Sequence, residues 1–262
     1  MKLFSYWSGR PTWLERLSVA SAIATDHELT VYTYGDRGAL SSALGCRVED
    51  AGKITRADPA LAELRATMPA HFSDHFRLEA LAQGLGTWTD LDVIFLKHLP
   101  DDPYLFGWQG RGRLGNSLLR IPAGSELLRQ YLSFCRKRPM VRYVMPWHST
   151  RQKIARTLKA ATAKIAPFTG VPDPEPKYGP DALTHFASAT NVISLAKPER
   201  VIYPLPCQDS IIRRADEPGV IDSMIAADTL CVHMWRSTYW RPLPKSGWVA
   251  KQWGRLELDA FA

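Results

Sequence analysis

The sequence has few of the features that define several common protein classes. Its four cysteines lie far apart, and no two of them form a CxxC pair, in a chain of 262 residues. That number and spacing exclude a disulfide-stabilised scaffold and a cysteine-based structural zinc site. No apolar run approaches the ~18 residues of a membrane-spanning helix, and the N-terminus lacks the apolar core of a secretory signal. We therefore expect free thiols, a soluble chain and a cytoplasmic location.

Acidic residues are missing from one long segment. Between residues 127 and 171 there is no Asp or Glu, but there are ten Lys or Arg. The whole chain has 33 basic and 26 acidic side chains, a net charge of +7. Without this segment, which we call the basic tract, 23 basic side chains face 26 acidic ones, a net charge of −3. The basicity of the protein therefore belongs to one tract.

The basic tract contains a helical pattern. Ile154, Leu158, Ala161 and Ile165 recur at the spacing of one helix face, and the polar positions between them are rich in Lys and Arg. Such a helix is a solvated face, a docking face for an anionic acceptor or anionic membrane, or a nucleic-acid contact. No helix-turn-helix, zinc-finger or RNP signature supports the last. We expect no nucleic-acid partner, and peripheral membrane contact stays open.

The order of the predicted elements indicates an α/β fold. Residues 3–7 form a short apolar run, Thr12 is placed to cap an amphipathic helix, and residues 29–34 are rich in β-branched and aromatic side chains. A strand, a helix and a strand within about 35 residues predict a parallel βαβ unit. We expect one domain over residues 1–262 with a central mixed, mostly parallel sheet flanked by helices, and a basic helical insertion at about 127–172.

Further elements follow from the same patterns. Residues 71–84 have a helical apolar stripe, with Ser73 as the predicted N-cap. Residues 106–108 and 117–121 are predicted strands on either side of a polar turn, and a helix is expected from Ser125 to about residue 138.

The sequence Asp90-Leu91-Asp92 is the sharpest candidate for chemistry. In an extended segment alternate side chains share a face, so we expect both carboxylates to point the same way. Two carboxylates on one edge suit Mg²⁺ or Mn²⁺, which complete their coordination with phosphate and water. The pair follows the glycine-rich turn at residues 84–86, where the backbone can approach a ligand closely.

One competing interpretation makes Asp90 the nucleophile of a phosphatase of the haloacid-dehalogenase kind. In that family an apolar strand precedes the first aspartate. Here residues 84–89, GLGTWT, precede it, and the apolar run at residues 93–96 follows. This order argues against the phosphatase.

The surroundings of the acidic pair resemble the sugar-binding DXD region of GT-A glycosyltransferases. The resemblance lies in SDHFRL at 73–78, GLGTWT at 84–89 and DLDVI at 90–94. The relatives are α-1,4-glycosyltransferases, Och-type mannosyltransferases, capsular polysaccharide transferases and the catalytic domain of large clostridial toxins. Here Gly84-Leu85-Gly86 replaces the usual glycine pair and Trp88 replaces the usual tyrosine. Weaker similarities occur at 7–9, 116, 178–180, 206–209 and 233–235.

The resemblance implies roles for three residues at a metal. Asp92 would bind the ion, and Asp90 would contact the ribose or the donor sugar and reach the metal directly or through water. His233, which matches a late His-x-Trp element, would lie near the diphosphate and the metal. The implied cofactor is Mn²⁺ or Mg²⁺.

The resemblance also implies a donor pocket. Asp74 and Arg77, one helical turn apart, would hydrogen-bond the hydroxyls of the donor sugar, and Trp7 would stack on the nucleotide base. Further candidates for the donor or acceptor pocket are Asn116, Gly179 and Asp209.

The implied function is metal-dependent transfer of a sugar from a nucleotide-sugar donor to a glycan or lipid-linked acceptor, with retention of configuration, as in polysaccharide biosynthesis. A UDP-sugar is favoured, with GDP-mannose as the alternative. A different class stays open: a basic membrane-surface or nucleic-acid-binding protein without sugar-transfer activity.

Overall fold

Strand–helix–strand units build the first part of the sheet. The computed structural model describes residues 1–55, 58–137, 147–165, 178–239 and 242–258. The opening elements are β1 (Lys2–Tyr6), α1 (Trp13–Ala24), β2 (Glu28–Thr33), α2 (Arg37–Leu44) and β3 (Arg47–Asp50). β1 pairs with β2, and β2 with β3, in parallel. The predicted βαβ unit is confirmed.

The start of α1 explains how the chain turns after β1. The hydroxyl of Thr12 accepts a hydrogen bond from the backbone N–H of Leu14, and the Glu15 carboxylate accepts one from the N–H of Thr12 at 2.6 Å. This reciprocal pair satisfies N–H groups that a helix start leaves without partners. The predicted cap at Thr12 is confirmed, and Glu15 is fully buried beneath it.

The second part of the sheet contains one antiparallel strand, β7 (Arg113–Arg120). The other elements of this part of the chain are α3 (Pro59–Thr67), α4 (Pro69–Ala82), β4 (Thr87–Thr89), β5 (Val93–Phe95) and β6 (Leu105–Gly110). β4 is parallel to β1, whereas β7 is antiparallel to β4 and to β6. The order β3-β2-β1-β4-β7-β6 is the mixed, mostly parallel sheet expected from the sequence.

The predicted N-cap at Ser73 is wrong. Helix α4 begins at Pro69, because proline at the first helical position has a suitable φ and needs no hydrogen-bond partner for its nitrogen. Ser73 therefore lies one turn inside the helix. Beyond the helix, a Cβ on Gly86 (φ +118°) would lie 2.5 Å from the carbonyl oxygen of Lys2, so only glycine lets β4 begin this close to β1.

The remaining elements cover the sheet and close its other edge. They are α5 (Glu126–Lys137), α6 (Thr150–Ile165), α7 (Pro180–Ala189), α8 (Glu199–Ile202), α9 (Asp209–Ile212), β8 (Cys231–His233) and α10 (Gly247–Arg255). β8 pairs antiparallel with β5 as a separate two-stranded sheet. Within the described part of the chain, no helix has the length and apolarity to cross a bilayer. Part of the basic insertion predicted at about 127–172 lies outside the described residues, and the domain and insertion bounds stay predictions.

An aromatic cluster fixes α4 on the sheet. Phe4 of β1 packs edge-on against Trp88 of β4 at 5.6 Å between ring centroids, and Phe76 of α4 lies 6.4 Å from the same indole. Phe72, one turn earlier, packs against Tyr6 at 5.1 Å. Edge-to-face contacts of this kind add stability beyond the burial of area. The cluster holds the opposite face of α4 toward the carboxyl ends of β1 and β4.

His27 links the end of α1 to the loop after β5. Its side chain is only 4% exposed, Nδ1 lies 3.2 Å from the carbonyl oxygen of Ala22, and Nε2 accepts a hydrogen bond from the N–H of Leu99 at 3.1 Å. This pattern requires the neutral imidazole. Burial lowers the pKa of His27 to about 4.

The buried imidazole predicts a loss of stability in acid. An unfolded histidine has a pKa of about 6.5. Below that pH the unfolded chain therefore binds a proton at His27, whereas the folded protein keeps this imidazole neutral. The stabilisation is complete above pH 6.5 and falls by about 1–2 kcal/mol at pH 5. Urea unfolding at pH 7 and pH 5 should show a smaller pH effect in His27→Gln than in the parent. The exposed neighbour variant His98→Gln should retain most of the effect; an unchanged pH effect in His27→Gln would contradict the assignment.

Candidate active site

The site lies between β1 and β4, two parallel strands at which the order of strands along the sheet reverses. β2 and β3 extend to one side of β1, and β4, β7 and β6 to the other. At such a point the loops leaving adjacent strands separate and open a crevice at their carboxyl ends. Trp7 follows β1 directly and Asp90 follows β4 directly, and both line a cavity of about 1040 Å³.

The acidic pair occupies a turn between β4 and β5. The N–H of Asp90 donates to the carbonyl of Ser117 at 2.7 Å, and the N–H of Val93 closes the turn on the carbonyl of Asp90 at 3.4 Å. The expected extended conformation of residues 90–92 is therefore wrong. The carboxylates of Asp90 and Asp92 reach one point because the chain bends around it, not because alternate side chains of a strand share a face.

Strand pairing brings His233 to this turn. In the β5–β8 register Val93 lies opposite His233, and Nε2 of the imidazole lies 3.2 Å from Oδ2 of Asp92. Asp90, Asp92 and His233 each offer one ligand atom, and the three atoms lie within 4.8 Å of one another. Two carboxylate oxygens and one imidazole nitrogen are donors that Mn²⁺ accepts, and the oxygens also suit Mg²⁺. The three side chains could hold a divalent ion.

The two carboxyl groups differ in the direction of their pKa shifts. Burial, opposed by Arg77 and reinforced by the charge of Asp92, raises the pKa of Asp90 to about 6. Burial would also raise the pKa of Asp92, but the His233 imidazole and the backbone N–H of Arg236, 2.8 Å from Oδ2, lower it below its ordinary value. The pKa of His233 is raised by Asp92 despite its burial. A cation bound among these groups would offset the repulsion between the carboxylates.

Arg77 ties the helix to the acidic turn. One guanidinium nitrogen, Nη2, lies 3.4 Å from Oδ1 of Asp74 and 3.3 Å from Oδ1 of Asp90. Nη1 donates to the carbonyl of Asn116 at 2.5 Å, and the guanidinium stands 4.5 Å from the ring centroid of Trp88. The side chain is only 6% exposed. Its described contacts hold Asp74 and Asp90 in position, so Arg77 acts on the cleft through its neighbours.

A hydrogen bond from Asn116 and the backbone segment at Gly179 position Asp74. Nδ2 of Asn116 donates to Oδ1 of Asp74 at 2.8 Å. A Cβ on Gly179 would lie 3.2 Å from Oδ2 of Asp74, so the absent side chain leaves room for the carboxylate. The buried hydroxyl of Tyr131 donates to the carbonyls of Tyr178 and Gly179 and holds that segment in place. Tyr131 was missed by the sequence analysis, because a tyrosine in an apolar helix stripe gives no signal of this role.

Arg236 packs on the ring of Trp7, and Glu15 holds Arg236 in place. The guanidinium of Arg236 lies 4.8 Å from the centroid of the Trp7 ring, and it forms an ion pair with the buried carboxylate of Glu15. Glu15 is detectable in the sequence as the fourth residue of the Thr12 capping box. Arg236 has no local signal.

The similarity of this chain to known proteins is a similarity to solved structures. No family model and no curated protein matches the chain. Twenty-eight chains of solved structures are similar to it. One is the PaToxG glycosyltransferase. It is 13% identical, with a TM-score of 0.47, over 72% of this chain and 68% of that one. A similarity at this level identifies neither a family nor a substrate.

Most of the residues singled out from the sequence meet in the one cavity. Its lining includes Trp7, Asp74, Arg77, Asp90, Asp92, Asn116 and His233. Asp209 lies in the short helix α9 and is not among the lining residues, although its neighbours Cys207 and Gln208 are.

The ligand cluster predicts measurable binding of Mn²⁺ to the protein alone. Asp92→Asn and His233→Gln should each weaken binding at least about tenfold, because each removes one of three donors, and even supporting residues change metal affinity by that much. Titration followed by the electron paramagnetic resonance of free Mn²⁺ measures the change. Asp36→Asn is the matched control, since Asp36 caps α2 on the surface and asparagine caps equally well. Equal Mn²⁺ affinity in all four proteins would show that the cluster is not a metal site.

Proposed function

We propose that this protein is a metal-dependent glycosyltransferase that moves a sugar from a nucleotide-sugar, favouring a UDP-sugar, to an acceptor hydroxyl. The observation that carries the proposal is the meeting of the Asp90–Asp92–His233 cluster with Asp74 and Arg77 in one cleft, at the point where the strand order of the sheet reverses. The resemblance to the DXD region supports it, because the motif residues converge although three separate elements supply them.

The metal-binding end of the cleft would receive the diphosphate. A divalent ion held by Asp92, His233 and Asp90 would neutralise the negative charge that develops on the leaving diphosphate. Asp92 is the carboxylate suited to direct ligation, because its lowered pKa keeps it ionised at neutral pH. Arg236 donates its backbone N–H to Asp92 and fixes the orientation of that carboxylate.

The helix side of the cleft would receive the donor sugar. Asp74 offers a fixed carboxylate to sugar hydroxyls, with Asn116 and Arg77 holding it. Departure of the diphosphate leaves an oxocarbenium-like sugar, whose positive charge preorganised carboxylates would stabilise. Asp74 and Asp90, held by Arg77, form this acidic floor of the cleft.

The β1 side would receive the nucleotide. Trp7 presents an aromatic ring at the cleft wall, and flat bases stack on such rings. The indole N–H of Trp7 and the hydroxyl of Ser5 are buried and have no hydrogen-bond partner among the described residues. Buried polar groups rarely lack a partner, so these two fit a wall that a polar ligand completes.

The acceptor would enter from the side formed by the β6–β7 hairpin. Gln109, Arg111 and Gln208 line the cavity there, away from the residues assigned to the donor. Retention of configuration is part of the proposal through the resemblance alone. Assigning the anomeric product by NMR tests it: a β-linked product from an α-linked donor would exclude retention.

A panel of nucleotide-sugars tests the activity directly. With Mn²⁺ present, one of UDP-Glc, UDP-Gal, UDP-GlcNAc, UDP-GalNAc or GDP-Man should raise the melting temperature, because a ligand of the folded state stabilises it by RT ln(1 + [L]/Kd). Asp92→Asn should lose turnover of that donor at least about a hundredfold, as expected for loss of electrostatic stabilisation at the reacting group. Asp36→Asn should keep it. If no donor shifts the melting temperature, and vesicles or nucleic acid bind instead, the non-enzymatic alternative is correct.

Gly179 predicts a selective effect on the donor. In Gly179→Ala the new Cβ approaches Asp74 and Asn116 at 3.2 Å, so the carboxylate must move by a few tenths of an ångström. The KM for the donor should rise several-fold, while Mn²⁺ affinity stays unchanged, because the metal cluster does not include Asp74. Gly124→Ala is the matched control, since a Cβ there meets nothing within 4 Å. Equal KM values in both variants would contradict the role of Asp74.

A further inference from the structure

Helix α6 carries two large apolar side chains on its surface. Ile154 is 58% exposed and Leu158 is 62% exposed. They are four residues apart and therefore lie on one face of the helix. Of the five exposed large hydrophobic side chains in the described part of the chain, these two are the most exposed. Adjacent exposed apolar side chains form a continuous patch, and exposed apolar patches mark contact surfaces.

The same helix is strongly cationic. Five Lys or Arg and no acidic residue fall between Thr150 and Ile165. Arg151 is exposed and Lys153 is half-buried beside the apolar pair. Two other cations of the basic tract, Arg129 and Arg136, form ion pairs with Glu126 and Glu79 on the body of the protein. Helix α6 thus carries five of the ten Lys and Arg of the basic tract.

The beginning of α6 is held against the body. Trp147, just before the helix, packs on Phe134 of α5 at 5.6 Å and on His185 of α7 at 5.7 Å between centroids. Burial and the nearby Lys153 ammonium lower the pKa of His185. Since Lys153 lies in the first turn of α6 and His185 in α7, this turn lies beside α7. The helix therefore has a fixed attachment, with Ile154 and Leu158 one and two turns beyond it.

We propose that α6 docks the protein on an anionic membrane surface, with Ile154 and Leu158 entering the headgroup region and Arg151 and Lys153 meeting the lipid phosphates. Charge complementarity selects this occupant, because an interfacial helix combines exposed apolar side chains with a cationic polar face. A nucleic-acid contact would use the cations on phosphates and leave two large aliphatic side chains in water. The helix lies on the membrane; it does not cross it.

Docking through α6 would bring the cleft close to a lipid-linked acceptor in the membrane. The helices on either side of α6 lead to the cleft: Tyr131 of α5 donates to the carbonyl of Gly179, and Pro180 at the start of α7 lines the cavity. The proposal itself does not depend on sugar transfer, since vesicle binding is measured without a donor.

Co-sedimentation with vesicles tests the apolar pair. The protein should bind vesicles of phosphatidylcholine with 30 mol% phosphatidylglycerol and bind pure phosphatidylcholine at least about tenfold more weakly, because each basic residue near an anionic surface adds attraction. Ile154→Ser/Leu158→Ser should reduce the partition coefficient at least about tenfold. The control Ile23→Ser/Leu195→Ser removes equally large side chains that are 48% and 49% exposed elsewhere, and it should bind like the parent.

The charge is tested separately. Arg151→Gln/Lys153→Gln should weaken binding about tenfold, and raising NaCl from 0.1 to 0.5 M should weaken the parent similarly. Arg37→Gln/Lys245→Gln removes the same charge from exposed positions outside α6 and should have little effect. Circular dichroism melting confirms that each variant is folded, and donor turnover should be unchanged in all of them.

Three results would overturn the proposal. They are absence of vesicle binding, equal binding to neutral and anionic vesicles, and loss of binding in the control pairs equal to that in the α6 pairs. Tight binding of a labelled single-stranded RNA that the α6 charge variant abolishes, without vesicle binding, would assign the helix to nucleic acid. Failure of the donor panel with intact vesicle binding would overturn the proposed activity alone.

Discussion

The cleft depends on the buried guanidinium of Arg77. An isolated cation at this depth would cost several kcal/mol, and so would the carboxylates of Asp74 and Asp90 without it. Each therefore requires the others, with Nη2 3.4 Å from one carboxylate and 3.3 Å from the other. Since Asp74 and Arg77 belong to α4 and Asp90 to the turn after β4, the same contacts fasten the helix to the sheet and define the acidic floor.

Asp90 and Asp92 have identical side chains, but their surroundings shift the two pKa values in opposite directions. Asp90 accepts a hydrogen bond from the Trp88 indole and faces Arg77, yet burial and the neighbouring charge still raise its pKa. Asp92 lies against His233 and a backbone N–H, and its pKa falls. Two residues of separation thus place the pair in different electrostatic environments. The resemblance assigns the direct metal ligand in the proposed function to Asp92, and the lower pKa of that carboxyl agrees with it.

The net charge of +7 comes from the basic tract, which is separate from the cleft. No described residue of the basic tract lines the cavity, whose lining carries four acidic side chains and five arginines. The carboxylates of this lining suit a metal ion and a sugar, and the cationic helix α6 suits an anionic surface. Overall charge would have indicated a nucleic-acid-binding protein, because it averages over these two regions.

Local signals in the sequence determined the βαβ beginning, the Thr12 cap and the identity of the acidic motif, because periodicity and capping involve residues within one turn or strand. The cap at Ser73 was wrong because Pro69 starts the helix earlier. The bend at 90–92 and the contact of His233 with Asp92 could not be read from the sequence, since the β5–β8 pairing joins segments far apart in the chain. Only tertiary structure brings such groups together, because side-chain distances across a cleft are set by sheet register and helix packing.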